Sequence, residues 1–287
     1  MRPPQLPEFP WDSLAPFKQT ARGHPAGIVD LSVGTPVDEV DASIRAALAA
    51  AAHIPGYPAT HGTEELRSVA AAALARRFSV AVEPSAVLPS IGSKEVVAGL
   101  AGWLGVGPGE TVVIPELAYP TYEVGARLVG ADILRADSLT AIGPARPALL
   151  WLNSPANPTG QVLGVHHLRK VVDWARERGV IVASDECYLS LHWDAQPFSV
   201  LHREVSGGDH RGLLAVHSLS KTSNLAGYRA GFVTGDPALV ARLLTVRKHA
   251  GLIVPRPVQQ AMVAALGDDD HVAGQRERYR RRRAVLR

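Results

Sequence analysis

The sequence predicts an α/β protein in which a mainly parallel sheet lies between layers of helices. Short apolar runs rich in valine, isoleucine and leucine recur along the chain, and amphipathic segments separate most of them. Strands and helices that alternate in this way are joined by crossover connections, which place the strands parallel in one sheet. With 46% hydrophobic residues, the 287-residue chain can also bury a substantial core.

The first two amphipathic segments, 38–53 and 62–78, are predicted as helices that begin near an aspartate and a threonine, both good N-terminal caps. Two later segments, 164–178 and 236–249, have the same helical spacing. The polar segment 191–211 has no clear periodicity and is predicted to be a surface excursion. The predicted strands are the apolar runs at 86–91, 111–114, 148–152, 180–184, 213–217 and 230–234.

The net charge of +3 comes from one short segment. Residues 276–287 hold seven arginines and one glutamate, so residues 1–275 carry −3. The body of the chain is therefore not a basic nucleic-acid-binding surface. The arginine run is predicted to be a solvated helix face, with Tyr279, Val285 and Leu286 left to pack.

Composition also limits the other kinds of site. The eleven histidines are scattered without metal-ligand spacing, so we expect no metal. The single cysteine, Cys187, excludes an intrachain disulfide framework and fits a reducing cytoplasm. No apolar run approaches the roughly 18 residues of a membrane-spanning helix, so we expect no membrane segment.

Four polar clusters directly follow predicted strands. The carboxyl ends of parallel strands meet at one edge of a sheet, and ligands bind there in open α/β folds, so we expect these clusters to line one crevice. The clusters are Gly92 to Lys94, Asn153 to Gly160, Asp185 with Glu186, and Ser218 to Lys221.

Lys221 and Asp185 are the candidate reactive residues. Lys221 ends the segment HSLSK after a buried strand, where its amine is suited to form a Schiff base, although a lysine in a surface turn fits this segment equally well. Asp185 could hold a magnesium ion or pair with a protonated pyridine nitrogen. The chain has no Gly-Lys dipeptide, which a P-loop requires, so nucleotide hydrolysis is excluded.

A third candidate feature is the helix predicted to begin at Ser93. Its free backbone N–H groups form an anion site suited to a phosphate, although an ordinary helix cap explains the Gly-Ser pair as well. The segment GVGPGE at 105–110 has the look of a dinucleotide-binding loop. It follows a helix and precedes a strand, however, so we predict a turn.

Three motifs together resemble those of the class I aminotransferases, fold-type-I enzymes that depend on pyridoxal 5′-phosphate. They are NSPANPTG at 153–160, SDECY at 184–188 and SLSKTSNLAGYRAGF at 218–232. Their order and spacing match the family along the chain. The resemblance implies an aminotransferase-like large domain, amino acids and 2-oxo acids as substrates, and pyridoxal phosphate as the cofactor.

The resemblance assigns a role to each matching residue. Lys221 would bind the cofactor covalently and, once displaced by substrate, would carry the proton between the substrate α-carbon and the cofactor. Asp185 would pair with the pyridine nitrogen, and Tyr119 would stack on the ring. Tyr188 and Asn157 would form hydrogen bonds with the phenolic oxygen of the ring. The phosphate would be held by Ser93, the backbone of Lys94, Ser218 and Arg229.

The resemblance also gives roles to residues outside these three motifs. Tyr57 matches a tyrosine that reaches the phosphate of the neighbouring subunit, which implies a homodimer with shared active sites. Gly34 matches a glycine whose backbone lies against the substrate carboxylate, and Asn157 is a second substrate-binding candidate. The bond from Asn157 to Pro158 is often cis in the family.

Within the family, the chain is most similar to the actinobacterial N-succinyldiaminopimelate aminotransferases, in segments such as FPWDSL at 9–14, HPAGIVDLSVGTPVD at 24–38 and VRKHAGLIVP at 246–255. This similarity implies amino transfer between glutamate and N-succinyl-2-amino-6-oxopimelate, a step towards diaminopimelate and lysine. Aspartate- or alanine-type aminotransferases and carbon–sulfur β-lyases remain alternatives, as does a non-catalytic cofactor-binding fragment or regulator. The segment 247–256 is the candidate for recognising the distal substrate group, with a solvated helix end as the alternative.

The resemblance divides the chain into three parts. Residues 1–37 are an N-terminal arm with part of a small domain, 38–267 a large cofactor-binding domain, and 268–287 the start of the C-terminal small domain. The arginine with which the family grips the substrate α-carboxylate lies in that small domain and matches no residue here. We therefore expect the sequence to be a truncated form of a longer enzyme.

Overall fold

The computed structural model describes residues 6–286, and its centre is a seven-stranded sheet with helices on both faces. The strands are β1 (Val87–Ile91), β2 (Thr111–Ile114), β3 (Asp132–Arg135), β4 (Leu149–Asn153), β5 (Ile181–Asp185), β6 (Leu213–Ser218) and β7 (Ala230–Gly235). Their order is β1-β7-β6-β5-β4-β2-β3, with β7 antiparallel to both of its neighbours and the other pairs parallel. The predicted α/β class and mainly parallel sheet are confirmed.

The helices begin at the caps that the sequence indicates. Asp41 accepts a hydrogen bond from the backbone N–H of Ser43 at 2.9 Å, and the Thr63 hydroxyl accepts one from that of Leu66 at 3.1 Å. The helices are α1 (Ala15–Arg22), α2 (Ala42–Ala50), α3 (Glu64–Phe78), α4 (Ser93–Trp103), α5 (Thr121–Leu128), α6 (Leu139–Ile142), α7 (Val165–Arg178), α8 (Arg203–Ser206), α9 (Pro237–Ala250), α10 (Arg256–Gly267) and α11 (Asp270–Leu286).

Six strands begin and end within one residue of the predicted apolar runs. The prediction missed β3, which pairs only with β2 at the edge of the sheet. Its charged end residues, Asp132 and Arg135, are exposed, and only Ile133 and Leu134 between them are apolar. An edge strand this short has too little apolar sequence to be recognised as one.

The prediction of a surface excursion at 191–211 was wrong for part of that segment. Val200, Leu201 and Val205 are buried in the core, and the segment contains α8. The backbone N–H of Val200 donates a hydrogen bond to Glu186 Oε1 at 2.8 Å, which fixes the segment beneath the sheet. Its few apolar residues have no regular period, so the sequence pattern conceals their burial.

Both faces of the sheet are covered, as a parallel sheet requires. Along β4, Leu149 and Trp151 pack into the core on one face, whereas Leu150 and Leu152 pack into the core on the other. The alternation follows from the two-residue period of a strand. Within residues 6–286, none of the helices has the length and apolarity needed to cross a bilayer.

Helix α11 carries the arginine run, and its packing differs from the prediction towards its C-terminal end. Tyr279 is partly buried, but Val285 and Leu286 are 86% and 79% exposed. Arg282 instead forms a bidentate pair with Asp38, with both bonds at 2.6 Å. Polar contacts from the helix, rather than those two apolar side chains, therefore hold its second half.

We predict that Gly231→Ala destabilises the fold. Gly231 lies in β7 beside the start of α4, where an added Cβ would be 2.9 Å from the carbonyl oxygen of His217 and 3.0 Å from the backbone nitrogen of Ser93. Backbone atoms cannot rotate away, so the free energy of unfolding should fall by about 1–3 kcal/mol in urea titrations. The control is Gly274→Ala in α11, where nothing lies within 4 Å of an added Cβ. The free energy of unfolding of Gly274→Ala should rise by about 0.5–1 kcal/mol. Equal stability of the two variants would contradict the prediction.

Candidate active site

Polar residues from neighbouring strands meet at one edge of the sheet. β4, β5 and β6 are adjacent and parallel, and Asp185 is the register partner of Asn153 on one side and of Val216 on the other. β1 and β6 both pair antiparallel with β7, so the turn at Gly92 reaches the same edge. The four clusters identified in the sequence therefore lie along one edge of the sheet.

Asp185 ends β5 with a buried carboxylate. Its Oδ2 accepts a hydrogen bond from the Tyr122 hydroxyl at 2.8 Å, and its Oδ1 accepts one from the backbone N–H of Cys187 at 3.2 Å. Burial raises the pKa of Asp185, while the hydrogen bonds from Cys187 and Tyr122 act in the opposite direction. No cationic side chain within residues 6–286 forms an ion pair with this carboxylate. The site is therefore suited to a ligand that brings a positive charge.

Glu186 and His217 form a second buried pair next to Asp185. Glu186 Oε2 lies 3.6 Å from His217 Nε2, and neither atom has a hydrogen-bond partner within residues 6–286. Burial raises the pKa of Glu186 to about 7 and lowers the pKa of His217 to about 3. Both side chains border a cavity of about 30 Å³, which is large enough for one water molecule.

Lys221 follows β6, and its amine reaches the N-terminal segment. Its Nζ donates a hydrogen bond to the carbonyl oxygen of Gly34, a residue 187 positions earlier in the chain. Burial lowers the pKa of the Lys221 ammonium, which increases the fraction present as the nucleophilic amine. The structure thus brings together Lys221 and Gly34, two of the residues expected at the site.

The start of α4 and Arg229 form an electropositive corner. Gly92 has a φ of +73° and precedes a helix start that has no side-chain cap. The Arg229 guanidinium lies so close that a Cβ added at Gly92 would be 2.8 Å from its central carbon. Arg229 Nη1 donates to the carbonyl oxygen of Ala226 at 3.0 Å, and no carboxylate within residues 6–286 pairs with this guanidinium. A guanidinium beside free helix N–H groups suits an anion such as a phosphate.

Aromatic rings cover Lys94 beside this corner. The Tyr119 ring lies 6.3 Å from the Tyr122 ring, edge to face. Lys94 Nζ lies 5.8 Å from the Tyr119 ring centroid and 5.7 Å from that of Trp11. The N-terminal arm therefore contacts the site through cation–π interactions with Lys94.

Cys187 and Tyr188 follow Asp185 directly, and Cys187 lies near residues that follow or end other strands. Burial raises the pKa of the Cys187 thiol, while hydrogen bonding with Ser93 and Ser218 acts in the opposite direction. Burial also raises the pKa of Tyr188, and the neighbouring Cys187 and Asp185 raise it further. The structure thus groups Ser93, Asp185, Tyr188 and Ser218 around Cys187.

Asn153 positions the expected site residue Asn157. Asn153 Oδ1 accepts a hydrogen bond from the backbone N–H of Asn157 at 2.7 Å, and its Nδ2 donates to the carbonyl oxygen of Asp185 at 2.9 Å. The peptide bonds before Pro155 and Pro158 are both cis, the second as the resemblance led us to expect. One amide thus fixes the Asn157 loop to the end of β5.

Two further expected site features differ in their exposure. Tyr57 is 99% exposed in the single chain. In the segment 247–256, Arg247 is 1% exposed, pairs with Glu95 at 2.5 Å and lies over the Trp103 ring. The guanidinium of Arg247 is therefore part of the core, whereas Lys248 and His249 at the same helix end are exposed.

Sequence reasoning gave no role to Tyr122, and it placed Asn153 at a strand end without predicting its contacts. Both side chains contact Asp185 from other elements, Tyr122 from α5 and Asn153 from β4. Tyr122 lies in α5 and Tyr119 precedes that helix, so their spacing of three residues gives no helix-face signal for Tyr122.

The fold and site together define a class of enzyme. Within residues 6–286, no group of three histidine, cysteine, aspartate or glutamate side chains is arranged to hold a metal. A lysine, a buried aspartate and an anion-suited helix start at the carboxyl edge of such a sheet are features of enzymes that bind pyridoxal 5′-phosphate. The chain belongs to the family of class I and II aminotransferases, whose model matches residues 26–287. This family uses pyridoxal phosphate and takes amino acids and 2-oxo acids as substrates.

Individual relatives support the same family. A probable aminotransferase of Mycobacterium tuberculosis is 66% identical over 98% of this chain and 68% of its own length. The 4-dedimethylamino-4-oxo-anhydrotetracycline transaminase of Streptomyces rimosus is 58% identical over 99% and 79%. Among solved structures, the N-succinyldiaminopimelate aminotransferase of M. tuberculosis matches with a TM-score of 0.81 and 29% identity, covering 89% of this chain and 70% of its own.

The shifted pKa values of Glu186 and His217 predict opposite effects of pH on stability. The pKa of Glu186 is 4.5 when unfolded and about 7 when folded, so it adds stability below pH 4.5 that is lost as the pH rises to 7. The pKa of His217 falls from 6.5 to about 3, so its contribution grows as the pH rises between those values. In the wild-type chain the two contributions oppose each other between pH 4.5 and 6.5.

We therefore expect Glu186→Gln to reveal the Glu186 contribution by difference. Glutamine keeps the oxygen that accepts from Val200 but does not titrate. The free energy of unfolding of the variant, minus that of the wild type, should rise by about 1.4 kcal/mol per pH unit between pH 4.5 and 7. Urea titrations of both cofactor-free proteins measure this difference. Glu204→Gln, at an exposed position, is the control, and a pH-independent difference for Glu186→Gln would contradict the assignment.

Proposed function

We propose that the chain transfers the amino group between glutamate and N-succinyl-2-amino-6-oxopimelate, with Lys221 as its catalytic residue. The observation that carries the proposal is the position of Lys221. Burial lowers the pKa of its amine, which donates a hydrogen bond to Gly34. Lys221 follows β6, the strand next to β5, and β5 ends in Asp185. Family membership gives the reaction class, and the residue roles and the substrate are what we propose.

The electropositive corner would hold the cofactor phosphate. The start of α4 has no side-chain cap, and the Glu95 carboxylate in its first turn pairs with Arg247; the guanidinium of Arg229 pairs with no carboxylate within residues 6–286. A phosphate dianion would compensate both. The hydroxyls of Ser93 and Ser218 lie close enough to act on the same thiol, that of Cys187, and can donate to the same phosphate.

Asp185 would hold the protonated pyridine nitrogen. A buried carboxylate with hydrogen bonds but no cation gains a charge partner when a pyridinium binds, and its raised pKa then falls. Pyridoxal phosphate, when bound, supplies an electron sink that stabilises negative charge at the substrate α-carbon. Tyr119, which packs edge to face on Tyr122, would lie against the ring.

Tyr188 and Asn157 would hold the phenolic oxygen of the ring. The raised pKa of Tyr188 keeps its hydroxyl protonated at neutral pH, so that it donates a hydrogen bond. Asn157 is fixed by Asn153, and its side-chain amide supplies a second donor. Both residues belong to loops that follow parallel strands, so their positions depend on the sheet.

Lys221 would supply the amine that binds the cofactor and the base that moves the proton. Once released, Nζ takes the proton from the α-carbon of the amino acid, for which an unprotonated amine near neutral pH is required. The burial that lowers the pKa of Lys221 favours that state. Gly34, already in contact with Nζ, and Asn157 would lie against the substrate carboxylate.

The proposed substrate rests on the similarity to the N-succinyldiaminopimelate aminotransferase of M. tuberculosis. The S. rimosus transaminase, at 58% identity, supports a second candidate, the ketone 4-dedimethylamino-4-oxo-anhydrotetracycline. Both candidates share glutamate-type amino transfer at the same lysine and differ only in the acceptor. We also propose the cytoplasm as the location, because the single cysteine, Cys187, is a free thiol within the site.

The first prediction of the proposal concerns Lys221. The wild-type chain with pyridoxal phosphate should show a visible absorbance band that glutamate shifts to the near ultraviolet. Lys221→Ala should lack the band, whereas Lys170→Ala, on an exposed helix face, should keep it. Acceptors are then compared by kcat/KM. N-succinyl-2-amino-6-oxopimelate should exceed oxaloacetate and pyruvate by at least about tenfold, on the order of the 1–3 kcal/mol that distal contacts supply.

Other outcomes discriminate the alternatives. A higher kcat/KM for the anhydrotetracycline ketone would favour the second candidate. Release of pyruvate and ammonia from a β-substituted amino acid would indicate a lyase. A band that persists in Lys221→Ala but disappears in Lys170→Ala would refute the lysine assignment.

The second prediction is that Tyr57 acts on the neighbouring subunit of a homodimer. A tyrosine that is 99% exposed contributes nothing to the fold of a single chain, whereas in the partner's site its hydroxyl would donate to the phosphate. Tyr57→Phe should weaken cofactor binding about tenfold, as expected for one hydrogen bond to a charged group. Light scattering should give the dimer mass.

A mixing experiment tests the direction of this contact. Mixed dimers of Tyr57→Phe and Lys221→Ala subunits contain one site with both wild-type residues if Tyr57 acts across the interface. Cofactor affinity in that site should return to the wild-type value. No recovery on mixing would show that Tyr57 acts within its own subunit or not at all.

A further inference from the structure

One face of α11 contacts the segment that begins at Lys221. His271, Gln275 and Tyr279 are spaced by four residues and therefore lie on the same face of the helix. The Tyr279 hydroxyl donates a hydrogen bond to the carbonyl oxygen of Lys221 at 3.1 Å. Gln275 Oε1 accepts one from the side-chain amide of Asn224 at 2.9 Å, and His271 Nε2 lies 2.8 Å from Ser223 Oγ. Three successive turns of one helix thus hold three residues of one loop.

The loop that these contacts hold has little regular structure of its own. Residues 221–224 lie between β6 and β7 in turns, and Asn224 has a φ of +57°, a conformation that costs free energy for a residue with a side chain. Its internal support comes from Leu219, whose carbonyl oxygen accepts from the backbone N–H groups of Ser223 and Leu225, both at 3.2 Å. External contacts are therefore needed to fix the backbone of Lys221.

The contacting face of α11 is itself held firmly. The His271 ring has a partner at each nitrogen, because its Nδ1 lies 3.0 Å from Asp268 Oδ2 and its Nε2 lies 2.8 Å from Ser223 Oγ. Gln275 Nε2 donates to Asp38 at 2.8 Å. Gln275 is buried, so its amide has one arrangement that satisfies both partners.

Asp38 completes a closed circuit of contacts. Arg282 lies one turn after Tyr279 in α11 and binds Asp38 through both terminal nitrogens. This pairing holds the pKa of the Asp38 carboxyl at about 2. Asp38 lies four residues after Gly34, whose carbonyl oxygen accepts the hydrogen bond from Lys221 Nζ. The lysine is therefore held at both ends: its backbone by α11, and its amine by the segment that α11 anchors.

We propose that His271, Gln275 and Tyr279 are positioning residues that set the place from which Lys221 Nζ moves the proton. The inference rests on the proposed role of Lys221. Proton transfer depends steeply on the distance and direction of the base, and a displacement of about 1 Å can cost about 100-fold in rate. Loss of one contact from α11 lets the Lys221 backbone relax, which slows the proton-transfer step while leaving substrate contacts in place.

The test compares Tyr279→Phe with Glu277→Gln. Phenylalanine keeps the ring and removes the hydroxyl, whereas Glu277 lies on the exposed face of the same helix. In the glutamate half-reaction, Tyr279→Phe should lower kcat by about tenfold with KM changed less than twofold, and Glu277→Gln should match the wild type. Tyr279→Phe should also shift the pH midpoint of the visible absorbance of the bound cofactor, measured without substrate.

A second pair of variants separates positioning from folding. His271→Ala should lower kcat by a similar factor. His271→Gln, whose amide can still accept a hydrogen bond from Ser223, should restore part of that lost kcat. Hydrogen exchange of residues 219–225 in the cofactor-free chain should quicken in Tyr279→Phe and His271→Ala. The midpoint of urea unfolding should stay within error of the wild type for Tyr279→Phe.

The outcomes distinguish this inference from the proposed function. If Lys221→Ala abolishes the cofactor band while Tyr279→Phe keeps wild-type kcat and pH midpoint, the positioning role is wrong and the lysine assignment stands. If Lys221→Ala keeps the band, the proposed function itself fails. If Tyr279→Phe lowers kcat, raises KM and lowers the midpoint of urea unfolding together, Tyr279 has a structural role only.

Discussion

The burial of the Asp185 carboxylate is the constraint around which the rest of the site is organised. Removing a carboxylate from water costs several kcal/mol unless hydrogen bonds and a counter-charge compensate. The chain supplies the hydrogen bonds, from the Tyr122 hydroxyl and the Cys187 backbone, and it fixes the Asp185 backbone through Asn153. Under the proposed function, the pyridinium of the bound cofactor would supply the counter-charge and would offset the cost of burying this carboxylate.

The reversed direction of β7 explains why the site draws on both ends of strands. Most site residues follow a parallel strand, as expected for the carboxyl edge of the sheet. Arg229 instead precedes β7, and because that strand runs antiparallel, its first residues lie at the same edge as the last residues of β6. The close approach of Gly231 to the start of α4 then brings the guanidinium to the helix N-terminus. One antiparallel strand in a parallel sheet thus contributes the cationic side of the site.

Periodicity and motif spacing were enough to predict most of the sheet and the residues at its edge. They could not predict features that depend on contacts between distant segments. The guanidinium of Arg247 is buried because it contacts Glu95 and Trp103, which lie in another helix, α4. Val285, near the end of α11, is exposed. β3 has too few apolar residues to stand out, and the buried part of 191–211 has no period. Hydrophobic pattern reports local burial well, whereas polar networks are specified jointly by residues far apart in sequence.

The circuit that joins Gly34, Asp38, Lys221 and α11 has a consequence for biosynthesis. Asp38 and Arg282 are separated by 244 positions, and the Lys221 carbonyl and the Tyr279 hydroxyl by 58. On the ribosome, the lysine and the strand before it are made well before α11 emerges, so a nascent chain can assemble the sheet while its lysine loop is still unanchored. Contacts of such long sequence separation close late because their loop entropy must be overcome first. The loop that carries Lys221 is therefore anchored only after residues 270–286 have been made, later than the sheet from which it extends.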